Sequence, residues 1–343
     1  MKTASTRCLT LATIVLAGYT PGANSQSPID SDSYIEIGGI DQWITIHGDS
    51  EDNPVILIIH GGPGSALTPI SGNLFGAWET SFTIANWDQP GAGRTYAVTG
   101  DSIASDLTIQ RIVADGIRVA EEILARTGKS KLVLLGGSWG SVIGLQMASS
   151  RPDLFYCYVG HGQLINSQAA SLETYTTLLS WAREAGESDA LAQLENIGAP
   201  PWNSLRNFGI MARIAGPYEE RITRPLPLLR ELWSDKNFYE DRAKWFEGVE
   251  FSEEHFFGYA LEGELMKVDL AGEVTDLEIP IFVIQGAEDI RTPAAHVQRY
   301  LEGLNAPLKE LVLIERAGHE VLLQATDEFF RELAARVLPL AIQ

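Results

Sequence analysis

The sequence predicts an α/β protein in which a mostly parallel central sheet is flanked by helices and a helical cap interrupts the core. Three observations carry this reading. Short, continuous apolar runs end in glycine-rich loops, as strands buried on both faces of a parallel sheet require. Amphipathic stretches of helical length separate those runs. Residues 167–270 instead hold helix-like segments with no convincing strand run, together with Trp181, Trp202, Trp233 and Trp245, four of the eight tryptophans.

Taken in order, the chain begins with a basic start at Lys2 and Arg7, an apolar stretch from Cys8 to Tyr19, and small residues at Ala23-Asn24-Ser25. This is the pattern of an export signal cut near Ser25. The apolar stretch falls short of the about 20 residues that cross a bilayer, and no other run reaches that length. Cys8 does not follow the apolar run as a lipid-attachment cysteine would, so the expectation is a free, exported protein. The remaining cysteine, Cys157, has no partner for an internal disulfide and sits in the apolar run Leu154 to Val159, where it reads as a buried strand residue.

Strand patterns follow at Tyr34 to Ile37 and Trp43 to Ile46, then the run Pro54 to Ile59, which ends in His60-Gly61-Gly62-Pro63-Gly64. The run Phe82 to Trp87 ends in Asp88-Gln89-Pro90-Gly91-Ala92-Gly93-Arg94. An amphipathic helix from Thr108 to about Arg126 leads to the strand Lys131 to Leu135, completing a βαβ unit. Beyond the cap, alternation resumes with a strand at Pro280 to Ile284, a helix near Pro293 to Leu304, a strand at Glu310 to Ile314 and a last helix from Thr326 to about Val337. The expected organisation is therefore a signal at 1–25, a first core segment at 26–166, the cap at 167–270, inserted after the strand that follows the helix behind Ser138, and a second core segment at 271–343.

With 45% hydrophobic and 20% charged residues in 343, the chain has the composition and length to bury a sizeable core. Its formal charge of −20 argues against nucleic acid or an anionic membrane surface as partner. A small peptide or other small molecule is the expected substrate, and the oligomeric state is left open.

The chemistry begins at Gly136-Gly137-Ser138-Trp139-Gly140, a serine bracketed by glycines between a buried strand and a helix that runs until Pro152 stops it. That is the pattern of a nucleophile elbow, in which glycines permit a turn sharp enough to present the serine hydroxyl. A serine hydroxyl needs a positioned base, and the base an orienting acid. His319, one of six histidines, lies in Arg316-Ala317-Gly318-His319-Glu320 just past the last strand and is the candidate base. Asp289 follows the preceding strand and is the candidate acid; its neighbour Glu288 would point elsewhere in an extended loop. The order Ser138, Asp289, His319 is the one this type of sheet carries. Two backbone N–H groups must stabilise the tetrahedral oxyanion. Trp139 supplies one, and Gly62 the other, since Pro63 has none. No metal or organic cofactor is required.

These motifs together resemble the prolyl iminopeptidase (prolyl aminopeptidase) family of α/β-hydrolases. The likeness rests on His60-Gly61-Gly62-Pro63-Gly64, on Trp87-Asp88-Gln89 with Gly91 and Gly93-Arg94, and on Gly136 to Gly140, and it spans Asn53 to Arg151 and Ile279 to Pro339. It implies a serine hydrolase that removes an N-terminal residue, proline above all, beneath a helical cap. The family usually has arginine where this chain has Pro90, cysteine or another small residue at the place of Ala92, and serine at the place of Thr95. Its members hold the substrate ammonium with cap glutamates. The run Ser252-Glu253-Glu254-His255-Phe256-Phe257 lies at a matching distance before Asp289, which nominates Glu253, whereas Glu247 after Trp245-Phe246 is wrongly spaced.

The leading expectation is thus an exported serine aminopeptidase acting through an acyl-enzyme. An esterase, lactonase or amidase with the same catalytic residues is the alternative, and a non-catalytic binding protein a third. Dehalogenases and epoxide hydrolases need a carboxylate where this chain has Ser138. With an ordinary imidazole as base, activity would rise through roughly pH 6 to 7.

Overall fold

The computed structural model describes residues 27–227 and 238–342. The expected export signal at 1–25 lies outside them, as does Trp233. Eight strands form one sheet: β1 (Ile29–Ile37), β2 (Ile40–Gly48), β3 (Val55–Ile59), β4 (Thr83–Trp87), β5 (Leu132–Gly137), β6 (Phe155–His161), β7 (Ile281–Gly286) and β8 (Lys309–Ile314), in the spatial order β1-β2-β4-β3-β5-β6-β7-β8. The β1–β2 and β2–β4 pairs are antiparallel, and every pairing from β4 to β8 is parallel.

The continuous apolar runs are the central strands. Every residue of β3, β4, β5 and β7 is buried. Their side chains divide by the two-residue period of a strand. Val55, Leu57 and Ile59 join one core layer, while Ile56 and Ile58 join the layer on the opposite face with Cys157, Val133 and Leu135. Cys157 is a free, buried thiol. The edge strand β1 starts at Ile29, earlier than the apolar pattern from Tyr34 marks. Its first half, Ile29 to Tyr34, has no buried residue, so the ladder to β2 rather than apolar burial defines it.

The longer helices are α1 (Gly93–Thr99), α2 (Ile109–Thr127), α3 (Trp139–Ser150), α4 (Ser167–Ala185), α5 (Ser188–Ile197), α6 (Leu205–Ile222), α7 (Phe238–Phe257), α8 (Ala294–Gly303) and α9 (Thr326–Ala341). Thr108 caps α2 by accepting the Arg111 N–H at 3.1 Å, and Gly128 closes it in a left-handed conformation. The last helix runs past Val337 to Ala341 with Pro339 inside it. Its Phe329, Leu333 and Val337 cover one face of the sheet; Ile112, Val119, Val142 and Val297 cover the other.

Between β6 and β7 the described residues form helices and loops, with isolated bridges at Asn166–Asp269 and Asp276–Asn305. α4, α5 and α6 build a small core of their own from Tyr175, Leu178, Leu194, Met211 and Tyr218, which also takes in Ile290 from the loop after β7. α6 continues through Pro217.

α3 meets the sheet backbone against backbone. A Cβ placed on Gly140 would stand 2.0 Å from the Ile59 carbonyl oxygen, and one on Gly136 would stand 2.6 Å from the Gly140 oxygen. Both contacts are with backbone, which cannot swing away as a side chain can. Gly140→Ala is therefore expected to cost about 1–3 kcal/mol through overpacking, read as a lowered Tm in thermal unfolding. An unchanged Tm would mean that α3 does not sit this close to β3.

Candidate active site

Ser138 stands between the end of β5 and the first turn of α3 with φ 51° and ψ −118°, one of the non-glycine residues with positive φ. Sparsely populated backbone of this kind is held only where the surroundings determine it. Here the Ser138 N–H donates to the His161 carbonyl at 2.9 Å, and the Ser138 carbonyl accepts the Ser141 N–H at 2.8 Å and the Ser141 hydroxyl at 2.6 Å. On the other side, a Cβ on Gly137 would strike the His161 ring at 2.3 Å. The elbow thus needs its flanking glycines, and its hydroxyl projects from the C-terminal edge of the sheet.

His319 is delivered to that edge by the loop after β8, and its Nε2 lies 2.9 Å from Ser138 Oγ. Its Nδ1 lies 3.1 and 3.2 Å from the two carboxylate oxygens of Asp289. With Nδ1–H donating to Asp289, Nε2 is left as the acceptor of the Ser138 O–H, which is the tautomer a general base requires. Glu288, the neighbouring acid, instead accepts the Ala317 N–H at 3.0 Å.

Asp289 is buried and fully engaged. Its Oδ1 accepts the N–H groups of Arg291 and Thr292, both at 2.9 Å. Its Oδ2 accepts the Thr292 hydroxyl at 2.6 Å and Gln285 Nε2 at 2.7 Å. Gln285, in β7, also accepts the Gln163 N–H at 3.0 Å and donates to the Thr292 carbonyl at 2.7 Å, so it ties the acid loop to the loop after β6. Burial works to raise the Asp289 pKa, but the charge and hydrogen bond of His319 and the Thr292 donors outweigh it and hold the carboxyl below its ordinary value. In His319 burial favours the neutral ring, and Asp289 overrides it to leave the pKa above 6.5. Beside it His161 is half-buried, its enclosed Nδ1 unpartnered among the described residues, and desolvation and then the charge of His319 push its pKa down to about 3.

Gly62 and Trp139 line the same cavity as Ser138 and His319. Trp139 is the first residue of α3, where an N–H has no intrahelical acceptor. Gly62 has φ +115°, and a Cβ there would stand 2.7 Å from the nitrogens of Gly64 and Ser65. Both amides stand on segments tied together through Gln89. Gln89 donates its Nε2–H to the His60 carbonyl at 2.9 Å, accepts the Trp139 indole N–H at 2.9 Å, and gives its own backbone N–H to His60 Nε2 at 3.2 Å. His60 donates Nδ1–H to the Gly61 carbonyl at 2.9 Å, and burial pushes its pKa down to about 4, so it serves as a neutral strut.

Of the positions that depart from the resemblance, Thr95 ties the loop after β4 together. The Thr95 hydroxyl donates to the Asp88 carbonyl at 2.6 Å and accepts the Trp43 N–H at 2.9 Å. Asp88 takes the Arg94 N–H at 2.8 Å and the Thr68 hydroxyl at 2.8 Å, and its burial raises its pKa to about 7.

The cavity over Ser138 has a volume of about 350 Å3, within the usual range for small-molecule sites. Its walls are largely apolar, with Leu164, Phe208, Met211, Phe257 and Met266 contributing, and among the described residues they carry one carboxylate, Glu253, and one guanidinium, Arg291. Glu253 projects from α7, which is seated on the glycine loops: Ser252 donates to the Gly91 carbonyl at 2.8 Å, Trp245 donates to the Ala66 carbonyl at 3.0 Å, and Phe256 lies against Trp139. Glu253 is itself exposed, and partial desolvation raises its pKa. Glu247 on the same helix is half-exposed and paired with Lys244, and it is absent from the cavity wall. Gln285, Thr292, Arg291 and Glu219 are the site residues that sequence reasoning did not single out. Arg291 and Thr292 stand two and three residues after Asp289, the one local signal that could have found them.

The profile of the alpha/beta hydrolase fold family matches residues 54–326. A probable aminopeptidase of Bacillus subtilis, YbaC, is 29% identical over 310 residues, covering 88% of this chain and 94% of the relative. A proline iminopeptidase of Neisseria gonorrhoeae is 26% identical, covering 88% of this chain and 96% of the relative. Among solved structures, a proline iminopeptidase of Mycobacterium smegmatis superposes with a TM-score of 0.66 at 18% identity, covering 91% of this chain and 99% of the other, a likeness of fold.

A prediction follows from the His319–Asp289 pair. With His319 as base the neutral ring is the reactive form, and its pKa is raised above 6.5. Lowering the pH therefore extinguishes reactivity at a value above 6.5, higher than an unperturbed imidazole implies. In Asp289→Asn the main raising influence is gone, while burial and Arg291 outweigh the lesser pull of Glu320, so the acid limb moves to lower pH and the plateau rate falls by about 10⁴-fold. The pH dependence of Ser138 modification by a fluorophosphonate reads both effects; an acid limb unmoved by the substitution would refute the coupling.

Proposed function

Because the chain belongs to the α/β-hydrolase fold family, we propose that it is a serine hydrolase of the proline iminopeptidase kind, an exported aminopeptidase that releases the N-terminal residue of short peptides. The names of its relatives support an aminopeptidase, and the basic and apolar start of the chain supports export. The observation that carries the choice of substrate is Glu253 in the wall of the cavity that holds Ser138 and His319. A carboxylate at the edge of a small, largely apolar cleft gains most from an ammonium partner when water is excluded.

In this reading the Ser138 hydroxyl gives its proton to His319 Nε2 as its oxygen attacks the carbonyl carbon of the first peptide bond. The oxyanion is taken by the N–H groups of Gly62 and Trp139. His319, held by Asp289, then passes the proton to the departing amine, which leaves an ester on Ser138. Water activated by the same imidazole hydrolyses that ester and frees the N-terminal residue.

A second reading has support from the same cavity. Its mostly apolar wall also suits the acyl group of a small ester or lactone, with no demand on Glu253. A panel of proline naphthylamide, N-acetylproline naphthylamide and short acyl esters separates the two. The expected outcome is turnover of the free-amino substrate, abolished in Ser138→Ala. Glu253→Gln should raise its KM about ten- to hundredfold, the worth of one charged hydrogen bond, with ester turnover little changed. Hydrolysis of esters alone would remove the aminopeptidase reading.

A further inference from the structure

Glu219 lies on α6, 100 residues before His319, and is buried against it. Its Oε1 accepts the His319 backbone N–H at 2.6 Å, and its Oε2 lies 3.4 Å from Arg291 Nε. The approach depends on the residue preceding the histidine: a Cβ on Gly318 would stand 2.1 Å from Glu219 Oε1. The end of α6 is fastened to the same loop by neutral groups. Gln324 donates to the Thr223 hydroxyl at 3.0 Å and the Arg224 carbonyl at 3.1 Å, and accepts the Gly318 N–H at 2.7 Å. The Arg224 N–H donates to the Arg316 carbonyl at 2.7 Å. Anchoring α6 therefore has its own devices, and a buried carboxylate, which burial drives toward the neutral form, is a costly addition to them.

We propose that Glu219 is a positioning residue: through the His319 amide and Arg291, the seating of α6 on the core sets where the imidazole stands relative to Ser138 Oγ. This rests on the reading of Ser138 as nucleophile and His319 as base. The arrangement makes the helical block part of the machinery that holds the base, as well as a wall of the cavity. Asp289 faces the ring at Nδ1; Arg291, Glu320, Glu219 and the half-buried His161 are the other titratable or charged groups around it. Around Glu219 these groups are Arg291, Asp289 and His319. Removing the Glu219 charge leaves the Arg291 cation less compensated beside His319, which favours the neutral ring. Removing Arg291 has the opposite sign.

The test is the pH dependence of Ser138 labelling by a fluorophosphonate in the full-length protein and in Glu219→Gln, Glu219→Ala, Arg291→Gln and the Gln/Gln double variant. In Glu219→Ala the plateau rate should fall by up to about 100-fold, the cost of misplacing a catalytic group by an ångström. Glu219→Gln, which keeps an acceptor for the His319 amide, should recover most of that rate while its acid limb moves to lower pH. Arg291→Gln should move the limb to higher pH, and the double variant should bring it back toward the wild-type position. A plateau in Glu219→Ala equal to wild type, or limbs that do not move in opposite directions, overturns the proposal. If Glu219→Ala does not fold, the two glutamine variants decide on their limbs alone. Wild-type protein that is never labelled overturns the serine-hydrolase reading instead, and this inference with it.

Discussion

The close approach of α3 to the C-terminal edge of the sheet is the constraint on which the rest of the site depends. Ser138 can occupy positive φ only because Gly136 and Gly140 let backbone lie against backbone, with Gly140 facing the Ile59 carbonyl at a distance no side chain allows. Once that contact exists, the positions of the other groups follow. The His60–Gly64 loop leaves β3 beside the elbow, the Asp88–Arg94 loop leaves β4 on its far side, and β6 and β7 carry His161 and Gln285 to the opposite flank. Parallel strands end at one edge, and so do their loops. A larger residue at Gly140 would displace all of them together.

Packing alone would leave these loops free to move against one another, and a set of buried polar bonds removes that freedom. Gln89 joins the loops after β3 and β4 to the indole of Trp139, and Gln285 joins the loop after β6 to the acid loop. Glutamine suits both places. It offers donor and acceptor at one terminus without a charge, so it can be fully buried at low cost when all its partners are present. Charge is concentrated instead on Asp289, where four donors and the imidazole stabilise it. The electrostatic asymmetry across the site, neutral ties on one side of Ser138 and an anion behind His319 on the other, is what raises the basicity of one histidine while His60 and His161 are held neutral.

How much of this was legible in the sequence follows from the range of the interactions. The central strands were readable because burial on both faces leaves a continuous apolar run, and the elbow because a sharp turn leaves glycines at fixed spacing. Ser138, Asp289 and His319 could be nominated because each directly follows its own strand, a local relation. β1 was underestimated because an edge strand needs no apolar run; its ladder to β2 is a pairing between chains of atoms, invisible to hydropathy. Thr292 and Gln285 went unnoticed as supports of Asp289, since a threonine and a glutamine near a strand end have many ordinary uses. Glu219 was beyond reach: its partner lies 100 residues away, and on an amphipathic helix of an acidic chain nothing local separates one glutamate from its neighbour Glu220.

The helical block between β6 and β7 bears on selectivity and on reactivity through different faces. α7 rests on the glycine loops through Ser252, Trp245 and Phe256 and brings Glu253 to the cavity, on the side of the N–H groups that would meet an oxyanion. α6 rests on the His319 loop through Gln324 and Glu219 and brings Met211 and Ala215 to the same cavity. Each helix therefore touches both the substrate space and one half of the reactive apparatus. A change that reseats α7 must alter the Glu253 wall together with Gly62 and Trp139, and one that reseats α6 must alter the apolar wall together with the His319 loop. Substrate choice and catalytic geometry cannot vary independently in a molecule built this way, because the same two helices form the boundary conditions for both.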